Sequence, residues 1–244
     1  MENTEKLEDL AIIYEDNHIL VVIKPQGEPC CADKSGDMDL LSRLKEYRKI
    51  NEGKSGEAYV GLVHRLDRVT GGVMVYAKTT KAAARLSEQL QKNEFSKKYL
   101  AVVKGSPKQK SGKLENYLLK NAKTNKVDVV GQAVSGAKRA ELDYNVRTVM
   151  EKFSLVEIDL VTGRSHQIRA QFAHIGHALL GDKKYGGWPE KDLALWAYEL
   201  KFKHPTQDGV MKFVVNPPED GVWEKFDFGR VSHKSDKKQG TRNA

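Results

Sequence analysis

Charged side chains are concentrated in one short stretch of the chain, residues 61–72, where they come just before two glycines. Its members are His64, Arg65, Asp67, Arg68, Gly71 and Gly72. A carboxylate flanked by arginines stays ionised, because a nearby positive charge lowers the pKa of a carboxyl group. A double glycine lets the backbone approach a ligand closely. On spacing alone a turn-forming aspartate whose neighbouring arginines point to water is favoured, because such aspartates are common, and the alternative is an anionic Asp67 beside a bound ligand.

A second polar concentration lies at residues 160–169, where a strand ends in a turn and a helix begins. The polar residues of this turn and helix start are Arg164, Ser165, His166 and Gln167. With Ser165 as the predicted N-cap, the free N–H groups of the helix start and the charge of Arg164 suit a phosphate or the edge of a nucleobase. The alternative is an ordinary helix cap with polar side chains facing solvent.

The composition argues against several classes of protein. The chain has 244 residues, a formal net charge of +8 and a hydrophobic share of 39%, as expected for a folded globular protein. No apolar run approaches the ~18 residues that a membrane span needs, and the first residues do not have the pattern of a signal peptide. The two cysteines, Cys30 and Cys31, are adjacent, which argues against a disulfide framework or a cysteine-rich zinc site. We therefore expect a cytoplasmic protein with no metal.

Charge divides the chain into three parts. Residues 1–10 carry a net charge of −3 and are predicted to be an acidic extension, residues 11–229 form a folded body of +7, and residues 230–244 carry +4 and are predicted to be a disordered basic tail. A basic body favours a polyanionic partner, because phosphates attract lysine and arginine without regard to sequence. Since many basic proteins bind no polyanion, charge alone leaves the partner open.

Apolar periodicity predicts the elements that must position these residues. Strands are predicted on both sides of Asp16-Asn17, at 73–77 and 99–103, around 142–146 and 156–160, and near 194–202 and 210–215. Helices are predicted around 40–47, from an N-cap at Thr79 or Thr80 to about Asn93, and from about 165 to Gly176. Residues 105–138 are predicted to form surface loops and short hairpins. Because strands outnumber helices and are joined by short turns, the predicted fold class is α+β, with a mixed, mostly antiparallel sheet and peripheral helices.

Four groups of residues resemble the motifs of the RluA-type RNA pseudouridine synthases. The first is the segment from Tyr14 to Gly27, which contains Lys24-Pro25, and the second is His64-Arg65-Leu66-Asp67-x-x-Thr70-x-Gly72. The third is Lys97-Lys98-Tyr99-Leu-Ala-Val-Val-x-Gly105. The fourth is Gly163-Arg164-Ser165-His166-Gln167-Ile168-Arg169, followed by Gly176-His177-x-x-x-Gly181-Asp182-x-x-Tyr185-Gly186. The resemblance covers roughly residues 11 to 216 in one order. Two departures are visible, since Gly71 stands where the family usually has serine and Leu142 where a threonine is common.

The resemblance implies a pseudouridine synthase catalytic domain over residues 11–229, with two subdomains flanking a central catalytic cleft. It implies an isomerase that converts uridine in RNA to pseudouridine without a cofactor. Asp67 would react at the ribose, either as a nucleophile at the sugar carbon or as a base at the 2′ position, with Arg169 as its ionic partner. Tyr99 would stack on the uracil and is a candidate for removing the proton at carbon 5.

The remaining site residues are predicted to bind the RNA. The resemblance implies that Arg65 occupies the space left when the uridine is flipped out of its stack, and a phosphate contact is the alternative for this side chain. The other predicted RNA-binding residues are His64, Arg164, His166 and Gln167.

Several partners and activities remain open at this stage. Ribosomal RNA is the expected substrate and transfer RNA the alternative, with no membrane and no obligate protein partner, so that the protein would be a monomer. Two other functions compete with this prediction. One is a catalytically silent RNA-binding protein of the same fold, and the other is a nucleosidase that cleaves the same bond and releases free uracil.

Overall fold

The computed structural model describes residues 9–53 and 55–229. The predicted basic tail, residues 230–244, and residues 1–8 of the predicted acidic extension lie outside the described residues. Leu10 already packs against the hydrophobic core, so the folded body begins before residue 11.

Eleven strands in the described residues form one sheet. They are β1 Ile12–Glu15, β2 Ile19–Lys24, β3 Gly61–Leu62, β4 Gly71–Ala77, β5 Ser96–Lys104, β6 Ser111–Asn121, β7 Lys126–Val130, β8 Lys138–Val149, β9 Phe153–Leu160, β10 Leu195–Lys203 and β11 Val210–Val214. Their order is β1-β2-β4-β10-β5-β9-β8-β6-β7, with β11 paired to β10 and β3 paired to β4. β4 and β10 run parallel, whereas the other paired strands of the described chain run antiparallel. The predicted mixed, mostly antiparallel sheet is confirmed.

Three α-helices accompany the sheet in the described residues: α1 Leu40–Asn51, α2 Thr80–Gln91 and α3 Gln167–His174, with a short 3-10 helix at Gly221–Lys225. The predicted N-cap of α2 is confirmed, because the Thr79 side chain accepts the N–H of Ala82. The predicted cap of α3 by Ser165 is wrong. The N-cap is His166, in the left-handed region with φ 50° and without a capping side-chain bond. The Gln167 side chain instead accepts the N–H of Arg164 and closes the preceding turn.

The segment 105–138 is more regular than its composition predicts. Its longest element, β6, has 11 residues, pairs with β8 from Ser111 to Leu118, and forms a hairpin with β7. Most of this hairpin is exposed at the margin of the sheet, so few of its residues need to be apolar. Main-chain pairing with β8 holds it in place, which the side-chain pattern does not reveal.

The sheet buries a hydrophobic core on each face, because successive strand residues point to opposite sides. α2 packs on one face, where Leu86 joins Val75 and Leu100. α1 and α3 pack on the other, where Leu44 and Phe172 join the same cluster as Met74 and Tyr99.

The double glycine of β4 serves strand packing. A Cβ atom on Gly71 would lie 2.3 Å from a ring carbon of Trp196, and one on Gly72 would lie 2.3 Å from the carbonyl oxygen of Ala197. Gly72 also has a φ of +122°, which side-chain-bearing residues rarely adopt. The interpretation in which these glycines let the backbone approach a ligand is therefore wrong, because strand β10 occupies the space beside them. Trp196 also accounts for the departure at Gly71, because it fills the space of a side chain there.

Candidate active site

A cleft of about 580 Å³ gathers residues that are far apart in the sequence. All eight predicted site residues line it: His64, Arg65, Asp67, Tyr99, Arg164, His166, Gln167 and Arg169. They come from the loop before β4, from strand β5, and from the turn and helix after β9.

Asp67 opens a tight turn at the start of β4, in which the N–H of Thr70 donates to the Asp67 carbonyl at 2.9 Å. Its side chain is 27% exposed and faces the cleft. Arg169 Nη1 lies 3.3 Å from Asp67 Oδ2, and His166 Nε2 lies 3.8 Å from the same oxygen. The carboxylate thus has a cation beside it and an open side toward the cleft.

The backbone after Asp67 is fixed by a buried lysine. The Lys24 ammonium is fully buried and donates to the carbonyls of Pro25, Glu28 and Arg68 at 2.8, 2.6 and 3.0 Å. Burial lowers the pKa of Lys24 to about 8, although the nearby Asp67 charge opposes this. Although Lys24 belongs to one of the motifs that resemble the family, it is not among the predicted site residues, because a lysine that ends an apolar strand before a proline is equally well explained as exposed.

The backbone before Asp67 is held by a thiol. Cys30 Sγ accepts the N–H of Leu66 at 3.2 Å and donates to the Leu66 carbonyl at 3.1 Å. Cys30 is therefore more than a small hydrophobic side chain, because with Lys24 it fixes the residues on both sides of Asp67.

Arg169 is held by a second carboxylate, which the sequence analysis did not assign to the site. Its Nε and Nη2 each donate to Asp182 at 2.8 Å. Asp182 is 1% exposed and also accepts the N–H groups of Lys184 and Tyr185. Burial alone would lower the pKa of Arg169, but the hydrogen bond and charge of Asp182, with Asp67, raise it. Asp182 is thus the principal partner of Arg169, and the predicted partner Asp67 is a secondary one.

His166 is oriented by Tyr185. The Tyr185 oxygen accepts the N–H of Val127 at 2.8 Å and lies 2.9 Å from His166 Nδ1. Because Nε2 faces the Asp67 carboxylate, which needs a donor, Tyr185 is assigned as the donor to Nδ1. Burial lowers the pKa of His166 despite the charge of Asp67, and the ring is neutral near pH 7. With Nδ1 as acceptor, the ring hydrogen sits on Nε2, the nitrogen that faces Asp67.

Tyr99 lies in the middle of the sheet, paired with Ala197 on one side and Ile158 on the other. It is buried but lines the cleft. Burial and the Asp67 charge raise its pKa, so Tyr99 presents a neutral phenol to the cleft.

The other predicted RNA-binding residues differ in whether their side chains already form hydrogen bonds within the protein. They are His64, Arg65, Arg164 and Gln167. His64 Nε2 accepts the N–H of Val75, and burial together with nearby Lys97 lowers its pKa to about 3. Gln167 uses its oxygen for the N–H of Arg164 and its nitrogen for the Glu141 carbonyl, so a contact with RNA would need one of these bonds to break. Arg65 and Arg164 are exposed at the rim.

The cleft carries an excess of positive charge. Four cationic side chains line it, from Arg65, Lys97, Arg164 and Arg169, against the single lining carboxylate of Asp67 among the described residues. In the parts of the chain that the structure describes, no three His, Cys, Asp or Glu side chains are grouped to hold a metal ion. No described helix has the length and apolar character to cross a membrane.

A family model described as RNA pseudouridylate synthase matches residues 18–174. The chain belongs to the RNA pseudouridylate synthase family. This match includes the Asp67 turn, Tyr99 and Arg169, and it confirms the family that the motifs resemble. The protein is therefore a member of a family of RNA isomerases.

Similar proteins carry the same family name. An RNA pseudouridine synthase of Aquifex aeolicus is 37% identical over 226 residues, covering 85% of this chain and 69% of the relative. The ribosomal large subunit pseudouridine synthase D of Zymomonas mobilis is 34% identical, covering 86% of this chain and 70% of the relative. The ribosomal large subunit pseudouridine synthase C of Escherichia coli O157:H7 is also 34% identical, covering 86% and 67%.

Solved structures of pseudouridylate synthases share the fold. Human RNA pseudouridylate synthase domain containing 4 superposes with a TM-score of 0.74 at 25% identity, covering 88% of this chain and 92% of the other. The α+β fold class predicted from the sequence is thereby confirmed.

Proposed function

We propose that this RNA pseudouridylate synthase converts uridine to pseudouridine in large-subunit ribosomal RNA, with Asp67 as the reacting carboxylate. The observation that carries the proposal is the position of Asp67. Its carboxylate is partly open to a positively charged cleft, and the neighbouring Arg169 is already fixed by Asp182.

The reaction is an isomerisation, so it needs no net supply of atoms or electrons. The bond between the ribose carbon and the uracil nitrogen breaks, the uracil turns in place, and carbon 5 bonds to the same ribose carbon while it loses its proton. Asp67 acts either by attacking the ribose carbon or by taking the 2′ proton, and both routes require the carboxylate to be an anion. Arg169, whose Nη1 lies 3.3 Å from Asp67 Oδ2, orients the carboxylate and supplies a counter-charge beside it.

The neighbours of Asp67 suit distinct parts of this reaction. Tyr99 presents an aromatic ring on which the uracil can stack. Because its pKa is raised, the phenol is neutral before the substrate binds, and it accepts the carbon 5 proton only if it first loses its own. The Nε2 hydrogen of His166 points toward the carboxylate and can hydrogen-bond to it or to the ribose.

A basic wall beside the cleft supports RNA as the substrate. Lys120 and Lys184 lie close enough to His166 to lower its pKa further, and the Lys126 ammonium lies 5.7 Å from the Tyr185 ring centre. No acidic residue occurs between Asn116 and Val127. Such a surface attracts a phosphate backbone whatever its sequence.

Ribosomal RNA is proposed because relatives at 34% identity are named ribosomal large subunit pseudouridine synthases. Ribosomal RNA is a cytoplasmic RNA in bacteria, so the proposed location of the enzyme is the cytoplasm. We further propose that it acts as a monomer and without a cofactor. Transfer RNA is the alternative substrate.

Transcripts of large-subunit ribosomal RNA, small-subunit ribosomal RNA and transfer RNA, each tritiated at carbon 5 of uridine, test the proposal. We expect tritium release from the large-subunit transcript and little from the others, with the uracil retained in the chain. Release from transfer RNA alone would reject the ribosomal substrate. Free uracil would indicate a nucleosidase, and tight binding without tritium release would indicate a silent RNA-binding protein.

A further inference from the structure

Lys97 is the cation of the cleft that the proposed chemistry leaves unused. It lies on β5 two residues before Tyr99, so both side chains point to the same face of the sheet. Both line the cleft, and Lys97 does so beside the end of α2, where Leu90, Gln91 and Asn93 also form the wall. Lys97 therefore lines the same cleft as Asp67, but it lies in the part of the wall that the end of α2 forms.

The Lys97 ammonium has no anionic partner within the described residues. No hydrogen bond or ion pair joins the Lys97 ammonium to another described residue, although the Lys97 side chain is half-buried. The other cations of the cleft differ, since Arg169 has two carboxylates and Arg65 and Arg164 are exposed to water. Burial lowers the pKa of Lys97, and no nearby acid offsets this.

The surroundings of Lys97 leave space for a ligand and offer no competing charge. The ammonium lies directly against Gly163, because a Cβ atom built there would lie 3.4 Å from Lys97 Nζ, and the absence of a side chain at Gly163 leaves the ammonium accessible from the cleft. His64, which feels the Lys97 charge, remains neutral because its pKa is about 3. A half-buried ammonium without a partner costs free energy that a bound anion recovers.

We propose that the Lys97 ammonium, which lies against Gly163 in the wall of the cleft, forms a phosphate subsite that binds a backbone phosphate of the RNA strand next to the flipped uridine. The inference rests on the proposed RNA substrate, because a polynucleotide brings a phosphate on each side of the reacting nucleotide. Lys97 then anchors the strand while Asp67 reacts with the ribose. The subsite is separate from the exposed lysines of the basic wall, Lys120, Lys126 and Lys184.

Lys98 provides a matched control. It is the next residue of the same strand, points to the opposite face, and is already paired with Glu157 at 3.0 Å and Asp159 at 3.4 Å. Lys97→Met and Lys98→Met therefore remove one lysine charge each from adjacent positions, but only the first removes it from the cleft. Lys97→Arg restores the charge.

The experiment measures the binding of a stem-loop RNA with one loop uridine at several salt concentrations. We expect Lys97→Met to raise the Kd about tenfold and to reduce the slope of log affinity against log salt by about one. Lys97→Arg should recover most of the affinity, and Lys98→Met should stay within about twofold of wild type. Equal Kd and equal slope for Lys97→Met and wild type would overturn the proposal.

A second measurement places the contact on the RNA. Single uncharged methylphosphonate linkages are introduced one at a time around the loop uridine. At one of these linkages the wild-type enzyme should lose affinity, because the phosphate that Lys97 contacts has lost its charge. The Lys97→Met variant should lose no further affinity at that linkage, because it no longer makes this contact. Should Lys97→Met fail to fold, Lys97→Gln replaces it. A loss that appears only in kcat at saturating RNA, with unchanged Kd, would place Lys97 on the uracil and reject the phosphate subsite.

The two proposals fail in different ways. If wild type releases no tritium from any RNA but the salt slopes differ as expected, the phosphate contact stands and the proposed reaction does not. If wild type is active and the slopes are equal, the reaction stands and the subsite does not.

Discussion

Asp67 and Asp182 share the same arginine but have opposite environments. Asp182 is 1% exposed and meets Arg169 through two bonds of 2.8 Å, with two backbone N–H groups completing its coordination. Asp67 is 27% exposed and meets Arg169 through a single contact of 3.3 Å. A buried carboxylate that already accepts four N–H bonds is held in place and kept away from a ligand, whereas a partly exposed one with a single contact is available to react. The comparison teaches that the environment, and not the residue type, assigns the structural and chemical roles.

Asp67→Asn tests the chemical half of the comparison and should have the largest effect on activity. The amide keeps the shape of the side chain but cannot act as an anionic nucleophile or base, so turnover should fall by about a thousandfold or more. Arg169 keeps Asp182, so the free energy of unfolding should change by only about 1 kcal/mol. Tritium release measures turnover, urea unfolding measures stability, and Asp208→Asn in an exposed loop is the control. A folded Asp67→Asn enzyme with more than a few per cent of wild-type turnover would reject the assignment of Asp67.

Asp182→Asn tests the structural half. It leaves the buried Arg169 without its main counter-charge, which should lower the free energy of unfolding by about 3 kcal/mol or more. Asp159→Asn is a matched control, because Asp159 is half-exposed and pairs with Lys98 at 3.4 Å. It should cost less than about 1 kcal/mol. Equal urea midpoints for the two variants would show that Asp182 is not the anchor of Arg169.

Tyr99 extends the comparison to the aromatic side of the cleft, where burial and, to a smaller degree, the Asp67 charge raise its pKa. If Tyr99 removes the carbon 5 proton, Tyr99→Phe should stop the reaction after the uracil has been reattached. Tritium would then stay on the RNA while the carbon–carbon bond is formed. If the ring only stacks, Tyr99→Phe should lose less than about tenfold and Tyr99→Ala much more. Wild-type rates in both variants would remove Tyr99 from the site.

His64 lies outside the two-carboxylate network, and its replacement should have the smallest effect at neutral pH. Its folded pKa is about 3 against an ordinary value of 6.5, so between these pH values the unfolded chain binds a proton that the folded chain does not. Its contribution to stability is present above pH 6.5 and is lost as the pH falls toward 3, by at most ~1.4 kcal/mol per pH unit. His64→Gln keeps an acceptor for Val75 and removes this titration. Urea unfolding between pH 6.5 and 4.5 should show a shallower pH dependence in the variant, and parallel curves would contradict the prediction.

Local patterns predicted much of the fold because they depend on near neighbours along the chain. The turn at Asp16, the cap at Thr79 and the alternating strands were predicted correctly. The predictions that failed depend on distant partners. The N-cap is His166 and not Ser165, and the Gln167 side chain closes the turn before it. The space beside Gly71 and Gly72 is filled by β10 and not by a ligand.

The sequence by itself determined the family and the residue types of the site, because the motifs around Asp67, Tyr99 and Arg169 combine several chemical groups at fixed spacing. Only the tertiary structure decided how these groups are supported. Asp182 lies 13 residues beyond Arg169, and Lys24 reaches a carbonyl 44 residues away, so no local spacing predicts either contact. Whether a charged side chain reacts, holds another side chain in place or binds a ligand depends on its burial and on its partners. Both are set by how distant segments of the chain pack together.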